Sequence, residues 1–334
     1  MLTYERRCSY RTADEGLKFL YKNEPNNSLS PSKKRVLGKT DSNLSSNCTM
    51  QLEVRDERSA WRDDALDKLL NDKKIKTYGF LVSEYNYGKS CAMINYIPPE
   101  DGEHIETDKS IYNYCSMRAR SLPYFTAIYH YELISEGRED NIVGFRIPTY
   151  TVYGHNKAAI KFLSSNFATV EDKGLAKTIL SERDFITFLY KIRKMEERSI
   201  YYKQALIEAG KLLLFSQPMK REDIKPKSLI SLRHRKYKWD TPCVDVDCMV
   251  CNDHGIPKFF IEFKRKDKFI IEDNNASKAI ADLGDGCSVQ IPVLLCCYNL
   301  NKGSFNINSG FNDAAKPYGN KTYTVNSFFE LINK

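Results

Sequence analysis

Residues 243–267, CVDVDCMVCNDHGIPKFFIEFKRKD, decide the fold, because they contain two apolar strands around a polar turn. The turn, at residues 251–255, holds Asn, Asp and Gly, which are residue types typical of chain reversals. Both strands carry acidic side chains, which are rarely found on a fully buried sheet. The stretch therefore predicts a β-hairpin whose charged residues have a chemical role.

The positions of the charged residues predict which of them share a face. Side chains alternate between the two faces of an extended strand. Glu262 and Lys264 therefore share a face of the second strand, and Asp245 and Asp247 share a face of the first. If the two faces coincide in the hairpin, carboxylates and an ammonium group converge. Two carboxylates about 4 Å apart repel by roughly 4 kcal/mol at an effective dielectric near 20, so such a cluster requires a compensating cation.

A divalent metal ion would meet this requirement. Mg²⁺ prefers oxygen ligands and retains several waters, one of which can become a nucleophile. Lys264 would then orient or help to deprotonate that water, or stabilise charge that develops on a phosphate. The alternative interpretation of the same residues is an ordinary solvated sheet edge.

The elements around the hairpin form a recognisable order. Hydrophobic periodicity from about residue 200 onward predicts, in turn, a helix over 201–214, strands over 228–236, 243–251 and 257–265, a helix over 276–283 and an apolar strand over 291–298. This order is helix, three strands, helix, strand. An acid followed two residues later by Lys also occurs elsewhere in the chain, but only Glu262 and Lys264 lie within an apolar strand that follows another acid-bearing strand.

An Asp at a strand start, followed after fourteen residues by Glu-x-Lys on the next strand, resembles the signature of the PD-(D/E)XK nuclease superfamily. The resemblance covers about residues 200–300. It implies an α/β, restriction-endonuclease-like core in the C-terminal part. It also implies a Mg²⁺-dependent endonuclease, with Mn²⁺ as a substitute metal, that hydrolyses phosphodiester bonds in nucleic acid, DNA being favoured over RNA.

The same resemblance assigns roles to individual residues. Asp247 and Glu262 would be the metal ligands, and Lys264 would be the catalytic lysine. Asp245 competes with Asp247 for the place of the first acid, and Glu208 on the preceding helix is a candidate for an additional acid. The alternative function is a catalytically inactive nuclease-fold module that binds nucleic acid or a protein partner.

Charge is distributed unevenly along the chain. The 334 residues include 51 Lys and Arg against 43 Asp and Glu, a net charge of +8 that is compatible with a polyanionic partner. Residues 220–238 hold eight Lys or Arg against two acids. This segment and its surroundings supply the predicted nucleic-acid contacts, which are Arg233, Arg235, Lys236, Lys238 and Lys266. A solvated basic face is an equally good interpretation of the segment.

The length of the chain predicts two domains. Residues 1–195 would form an N-terminal α+β domain that binds or positions nucleic acid, with a loop-like stretch at 24–50, and residues 196–334 would form the nuclease-like domain. In the first domain we expect strands over 77–83 and 90–97 around a turn at 86–88, and a helix capped by Ser181. A Tyr-rich stretch over 112–153 suits base stacking, although buried β-structure is the commoner explanation.

Other patterns exclude several classes of protein. No segment approaches the run of about 18 apolar residues that a transmembrane helix requires. Charges occupy the N-terminal positions where a signal peptide is apolar, so we expect an intracellular protein, cytoplasmic or, in a eukaryotic host, nuclear, with no membrane partner.

Residues 83–90, SEYNYGKS, nearly match a phosphate-binding loop, but a hairpin turn is the favoured interpretation. For the Cys248–Cys251 pair we favour core packing over zinc binding. An oligomer is compatible with this sequence but is not indicated by it.

Overall fold

A computed structural model of the chain describes residues 64–333, with gaps at 74, 76–79, 103–104, 137–140, 196–198, 225, 227–228, 231, 234–242, 265–270 and 272–273. The loop predicted over 24–50 lies outside the described residues. The fold is a mixed α/β arrangement in which helices pack on two sheets. No helix in the described part of the chain is long and apolar enough to cross a membrane.

The strands of the first sheet lie in the described chain up to residue 245. In chain order the elements of this part are α1 (Asp64–Asp72), which packs on the second sheet, β1 (Leu81–Asn86), β2 (Lys89–Ile97), α2 (Lys109–Met117), β3 (Tyr124–Ser135), β4 (Ile142–Gly154), α3 (Lys157–Asn166), β5 (Val170–Asp172), β6 (Leu175–Ser181), α4 (Glu182–Ile192), α5 (Ile200–Glu208), β7 (Leu213–Met219) and β8 (Cys243–Asp245). The strands are ordered β5-β6-β4-β3-β2-β1-β8, and β7 pairs with β4. Strands β2 and β3 are parallel and the other paired strands of this sheet are antiparallel.

The second sheet follows after a two-residue link. Its elements are β9 (Cys248–Cys251), β10 (Pro257–Lys264), α6 (Asn275–Asp285), β11 (Val293–Asn299), β12 (Ser304–Gly310), β13 (Lys321–Thr324) and α7 (Val325–Asn333). The strand order is β13-β12-β11-β10-β9. Strands β9 and β10 form an antiparallel hairpin, whereas β10 and β11 are parallel and are joined through α6.

Local signals in the sequence explain several of these elements. Ser181 caps α4 as predicted, because its hydroxyl accepts a hydrogen bond from the Asp184 amide. Asn274 caps α6 in the same way, accepting from the Ser277 amide. The hairpin predicted around residues 86–88 is confirmed, with Asn86 paired to Lys89 across the turn. The near-match to a phosphate-binding loop is therefore a β-hairpin.

The strand predicted over residues 228–236 is wrong, because residues 229–230 and 232–233 are helical. The buried side chains there, Leu229, Ile230, Leu232 and Arg233, follow the spacing of one helix face and not the alternation of a strand. The helix predicted over 201–214 is also too long. It ends at Glu208 and is followed by Gly210, whose φ of 80° belongs to the left-handed region that favours glycine.

The strand predicted over residues 243–251 is divided between the two sheets. Strand β8 pairs with β1 of the first sheet, and β9 pairs with β10 of the second. Val246 and Asp247 form the link, and the Val246 side chain is buried in the core between the sheets. The prediction that Asp245 and Asp247 share one strand face is therefore wrong, because the chain changes sheets between them.

The two sheets share a common core in which α2 and α6 lie between them. One cluster of buried side chains includes Leu81 and Met93 of the first sheet as well as Phe260 and Val293 of the second. Tyr114 of α2 donates a hydrogen bond from its hydroxyl to the Leu283 carbonyl of α6 at 3.0 Å, and its ring centroid lies 5.0 Å from that of Phe260. The change of sheet at residues 245–248 does not coincide with the domain boundary predicted at 195/196, which stays a prediction.

Arg233 is buried beside the apolar core of the first sheet, to which its neighbours Ile230 and Leu232 belong. Its guanidinium forms an ion pair with the Glu182 carboxylate, and both side chains are almost completely buried. Its Nη2 also donates to the Glu208 carbonyl at 2.7 Å. The prediction that Arg233 contacts nucleic acid is therefore wrong, because a buried and paired guanidinium cannot reach a phosphate in solvent.

This placement predicts a large effect on stability. Arg233→Ala should lower the free energy of unfolding by about 3–5 kcal/mol, because the Glu182 carboxylate would remain buried without its cation. Urea denaturation followed by circular dichroism measures the change. Arg146→Ala is the matched control, since Arg146 pairs with Glu132 in a half-exposed ion pair and its loss should change stability by less than about 1 kcal/mol. Equal losses for the two variants would contradict the structural role of Arg233.

Candidate active site

Glu262 and Lys264 lie near the C-terminal end of β10. Phe259, Ile261 and Phe263 alternate with them and pack into the core on the opposite face, where α1 and α7 contribute. The Lys264 ammonium forms an ion pair with the Glu262 carboxylate at 2.5 Å. The prediction that these two side chains share a face is thus confirmed.

Asp247 joins this pair through the backbone of β10. Its Oδ2 accepts a hydrogen bond of 2.8 Å from the amide of Phe263, the residue between Glu262 and Lys264. The ladder between β9 and β10 extends only as far as Cys248 opposite Ile261. Asp247 lies one step beyond that end, where its side chain supplies the acceptor that a continued strand would have supplied. Two acids and a lysine are therefore brought to one end of β10.

Asp245 approaches the cluster from the other sheet. It lies at the end of β8, where it is opposite Val82 of β1. Although it does not share a strand with Asp247, it is close enough to influence the protonation of Lys264. The site thus lies at the junction of the two sheets. Asp245 ends β8 of the first sheet, Asp247 lies in the link, and Glu262 and Lys264 lie on β10 of the second sheet.

The carboxylates determine the charge state of Lys264. Burial by itself would lower the pKa of this ammonium, but Coulombic attraction to Glu262, the hydrogen bond to Glu262, and attraction to Asp247 and Asp245 outweigh burial. The net effect is a pKa raised above its ordinary value of 10.5. Lys264 is therefore an ammonium ion at neutral pH, which suits charge stabilisation or orientation of a water and does not suit general-base catalysis.

The donor chemistry of the site fits a hard divalent cation. Within the described residues, no group of three or more His, Cys, Asp or Glu lies close enough together to hold a metal ion. Mg²⁺ is commonly held by only one or two carboxylates, with waters and substrate phosphates completing its coordination. Asp247 and Glu262 can supply such a pair of oxygen donors, so the residues fit Mg²⁺ but not a site made entirely of protein ligands.

The remaining predicted site residues are Glu208 and four basic residues. The Glu208 side chain pairs with Lys211 at 3.0 Å, on a helix that packs against the core of the first sheet. Arg235, Lys236, Lys238 and Lys266 lie outside the described residues. Cys248 is buried in the apolar core that the second sheet forms with α1 and α7, Cys251 is half-buried, and both are thiols.

Sequence reasoning missed the contact between the β1–β2 turn and helix α6. A Cβ placed on Gly88 would lie 2.7 Å from the Cβ of Lys278 and 3.6 Å from the carbonyl oxygen of Asn275, both in the first turns of α6. The turn sequence Asn86-Tyr87-Gly88 indicated the hairpin, but it carried no signal for the helix against which the hairpin packs, because that contact spans almost 200 residues of chain.

Comparisons with protein-family models, with curated proteins and with solved structures gave no match for this chain. What the protein does must therefore be inferred from the geometry and chemistry of the site.

The raised pKa of Lys264 predicts an alkaline loss of stability. Because the folded-state pKa lies above 10.5, the charged lysine stabilises the fold at lower pH, and this contribution is lost as pH rises through the raised pKa. As pH rises from about 9 through the raised pKa of Lys264, the free energy of unfolding should fall further for the wild type than for Lys264→Met. Urea denaturation at a series of pH values measures this difference.

Glu262→Gln provides the control for that experiment, since it removes the carboxylate with the largest influence on Lys264. When both proteins also carry Glu262→Gln, the difference in pH dependence between the chain with Lys264 and the chain with Lys264→Met should become smaller. Tyrosine ionisation affects all the variants alike, so it cancels in the comparison. Parallel stability curves for the wild type and Lys264→Met would contradict the electrostatic coupling.

Proposed function

We propose that the protein is a metal-dependent nuclease that hydrolyses phosphodiester bonds in nucleic acid, with DNA as the favoured substrate. The observation that carries this proposal is the hydrogen bond from the Phe263 amide to Asp247, which brings an Asp to the Glu262–Lys264 pair. An Asp, a Glu and a Lys at one strand end are the residue types that the PD-(D/E)XK resemblance requires there.

The topology of the second sheet supports the same proposal in part. The acid-bearing segment leads into an antiparallel hairpin, a helix crosses over, and β11 returns parallel to β10. This agrees with the later strands and the closing helix of the restriction-endonuclease-like core that the resemblance implies. The first of the three expected strands has no counterpart at 228–236, where the described residues are helical. The assignment to that core is accordingly a proposal that depends on the later elements.

The residues of the site would divide the work of hydrolysis between them. Asp247 and Glu262 would hold Mg²⁺, which when bound supplies an activated water as the nucleophile. The hydrogen bond from Phe263 orients the Asp247 carboxylate, and the ion pair with Lys264 orients that of Glu262. The Lys264 ammonium would donate hydrogen bonds to phosphate oxygens and stabilise the charge that accumulates on them during attack.

The proposal predicts a loss of cleavage in three conservative variants. Asp247→Asn, Glu262→Gln and Lys264→Met should each reduce cleavage by about 100-fold or more, because each removes a ligand charge or the stabilising cation. The assay uses plasmid DNA, single-stranded DNA and RNA, each with Mg²⁺, Mn²⁺ or EDTA. Asp253→Asn in the exposed β9–β10 turn is the matched control and should retain wild-type activity.

Two results would argue against this function. Wild-type cleavage by Glu262→Gln would remove the proposed site even if the protein is a nuclease. Lack of metal-dependent cleavage on every substrate, with nucleic-acid binding retained, would favour the inactive nuclease-fold module instead. Thermal melting of each variant separates a loss of chemistry from a loss of folding.

A further inference from the structure

The turn between β1 and β2 presents an aromatic side chain to solvent in an unusual backbone conformation. Tyr87 is 84% exposed, the highest value among the large hydrophobic residues of the described chain. Its φ is 48° and that of Gly88 is 76°, so both central residues of the turn have positive φ. Two-residue hairpin turns of this kind strongly prefer Asn-Gly, because a side chain such as tyrosine is disfavoured at positive φ.

A tyrosine at this position does not serve the folding of the turn. Its ring is exposed and contributes nothing to a core, and Asn would relieve the backbone strain. The surroundings nevertheless hold the turn in place: the Asn86 side chain donates to the Arg193 carbonyl at 2.8 Å, and Gly88 packs against Lys278. An exposed side chain maintained in a strained and well-supported backbone is a reason to look for a binding role.

Three exposed lysines lie around this turn. Lys89 closes the turn opposite Asn86, Lys278 is in contact with Gly88, and Lys194 follows the residue whose carbonyl accepts from Asn86. They come from β2, from α6 and from the end of α4, so the fold and not the local sequence collects them. We call Tyr87, Lys89, Lys194 and Lys278 the Tyr87 patch.

Helix α6 and strands β1 and β8 connect the Tyr87 patch with the surroundings of the candidate active site. Helix α6 begins after the end of β10, so its first turn, which touches Gly88, lies toward the Lys264 end of that strand. Tyr85 of β1, Val244 of β8 and Ala279 of α6 form one small buried cluster. Asp245, the residue after Val244, influences Lys264. Strand β8 is antiparallel to β1 and Asp245 is opposite Val82, so Asp245 lies five residues, about 17 Å along β1, from Tyr87.

We propose that the Tyr87 patch binds single-stranded nucleic acid, with an unpaired base stacked on the Tyr87 ring and backbone phosphates contacted by the lysines. Stacking on an exposed ring requires a base with an accessible face, which the interior of a duplex does not offer. Lysine contacts to phosphates supply affinity that is independent of sequence. This inference rests on the proposed nuclease function and specifies its substrate class as nucleic acid with unpaired bases in the strand that carries the scissile bond.

Binding without cleavage tests the inference directly. The full-length chain is titrated in EDTA against fluorescently labelled single-stranded DNA, single-stranded RNA and blunt duplex DNA, with anisotropy as the readout. The Kd of Tyr87→Asn for the single strands should rise by about tenfold, since the base loses its stacking partner, and the Kd for the duplex should change little. Tyr87→Phe should bind like the wild type, because the aromatic ring remains. Comparison of the Kd for single-stranded DNA with that for single-stranded RNA shows which nucleic acid the patch prefers.

Two controls separate stacking from general damage. Tyr87→Asn should melt at the same temperature as the wild type or slightly higher, because Asn is tolerated at positive φ. Ile179→Ala on β6 removes another exposed apolar side chain and should leave binding unchanged. Lys278→Ala should reduce the slope of log K against log salt by about 0.7 for single strands, as expected for the loss of one phosphate contact.

The possible results distinguish this inference from the proposed function. Wild-type affinity of Tyr87→Asn for both single strands overturns the role of the Tyr87 patch, and metal-dependent cleavage would still support the nuclease. Binding that depends on Tyr87, in a protein that cleaves no substrate, supports the patch and overturns the nuclease. Failure of the wild-type chain to bind any of the three oligonucleotides overturns the patch.

Discussion

Two consecutive residues hold the two sheets of this protein against each other. The Val246 amide donates to the Leu81 carbonyl of the first sheet at 2.9 Å, and the Asp247 carboxylate accepts from the Phe263 amide of the second sheet at 2.8 Å. Because these partners lie on different sheets, the link between β8 and β9 cannot shift without breaking one of the two hydrogen bonds. The position of Asp247 beside Glu262 and Lys264 depends on this attachment.

Helices α2 and α6 reinforce the junction from within the shared core. The guanidinium of Arg118, the residue that follows α2, pairs with the Asp282 carboxylate of α6, and the same carboxylate accepts from the Ser90 amide of β2 at 2.9 Å. One acidic side chain thereby connects both interlayer helices to the first sheet. A buried pair of this kind is costly to break, since removing one partner leaves a charge without compensation. The junction of the two sheets is thus supported by a second polar network, formed by Arg118, Asp282 and the Ser90 amide.

The charges at the junction are arranged so that one cation serves several acids. Lys264 has a raised pKa because Glu262, Asp247 and Asp245 together outweigh its partial burial. Lys264 therefore keeps its positive charge through the neutral range. The Tyr87 patch, with its exposed lysines and ring, is a separate basic surface where the β1–β2 turn meets α6.

Alternation and capping were sufficient to predict the β9–β10 hairpin, α6, β11 and the hairpin around residues 86–88, because these elements depend on neighbours within a few residues. The shared face of Glu262 and Lys264 followed from the same local rule. The pairing of Arg233 with Glu182, in contrast, joins residues 51 positions apart, and composition alone could not distinguish a buried guanidinium from a solvated one.

The division of residues 243–251 between two sheets was also decided in three dimensions. An apolar run specifies an extended backbone, but it does not specify which strand that backbone pairs with. Here the pairing of β8 with β1 and of β9 with β10 placed the change of sheet between Asp245 and Asp247. The sequence by itself determined which residue types are available for chemistry. Only the tertiary structure decided which of them meet, because hydrogen bonds between segments distant in the chain set the position of each side chain.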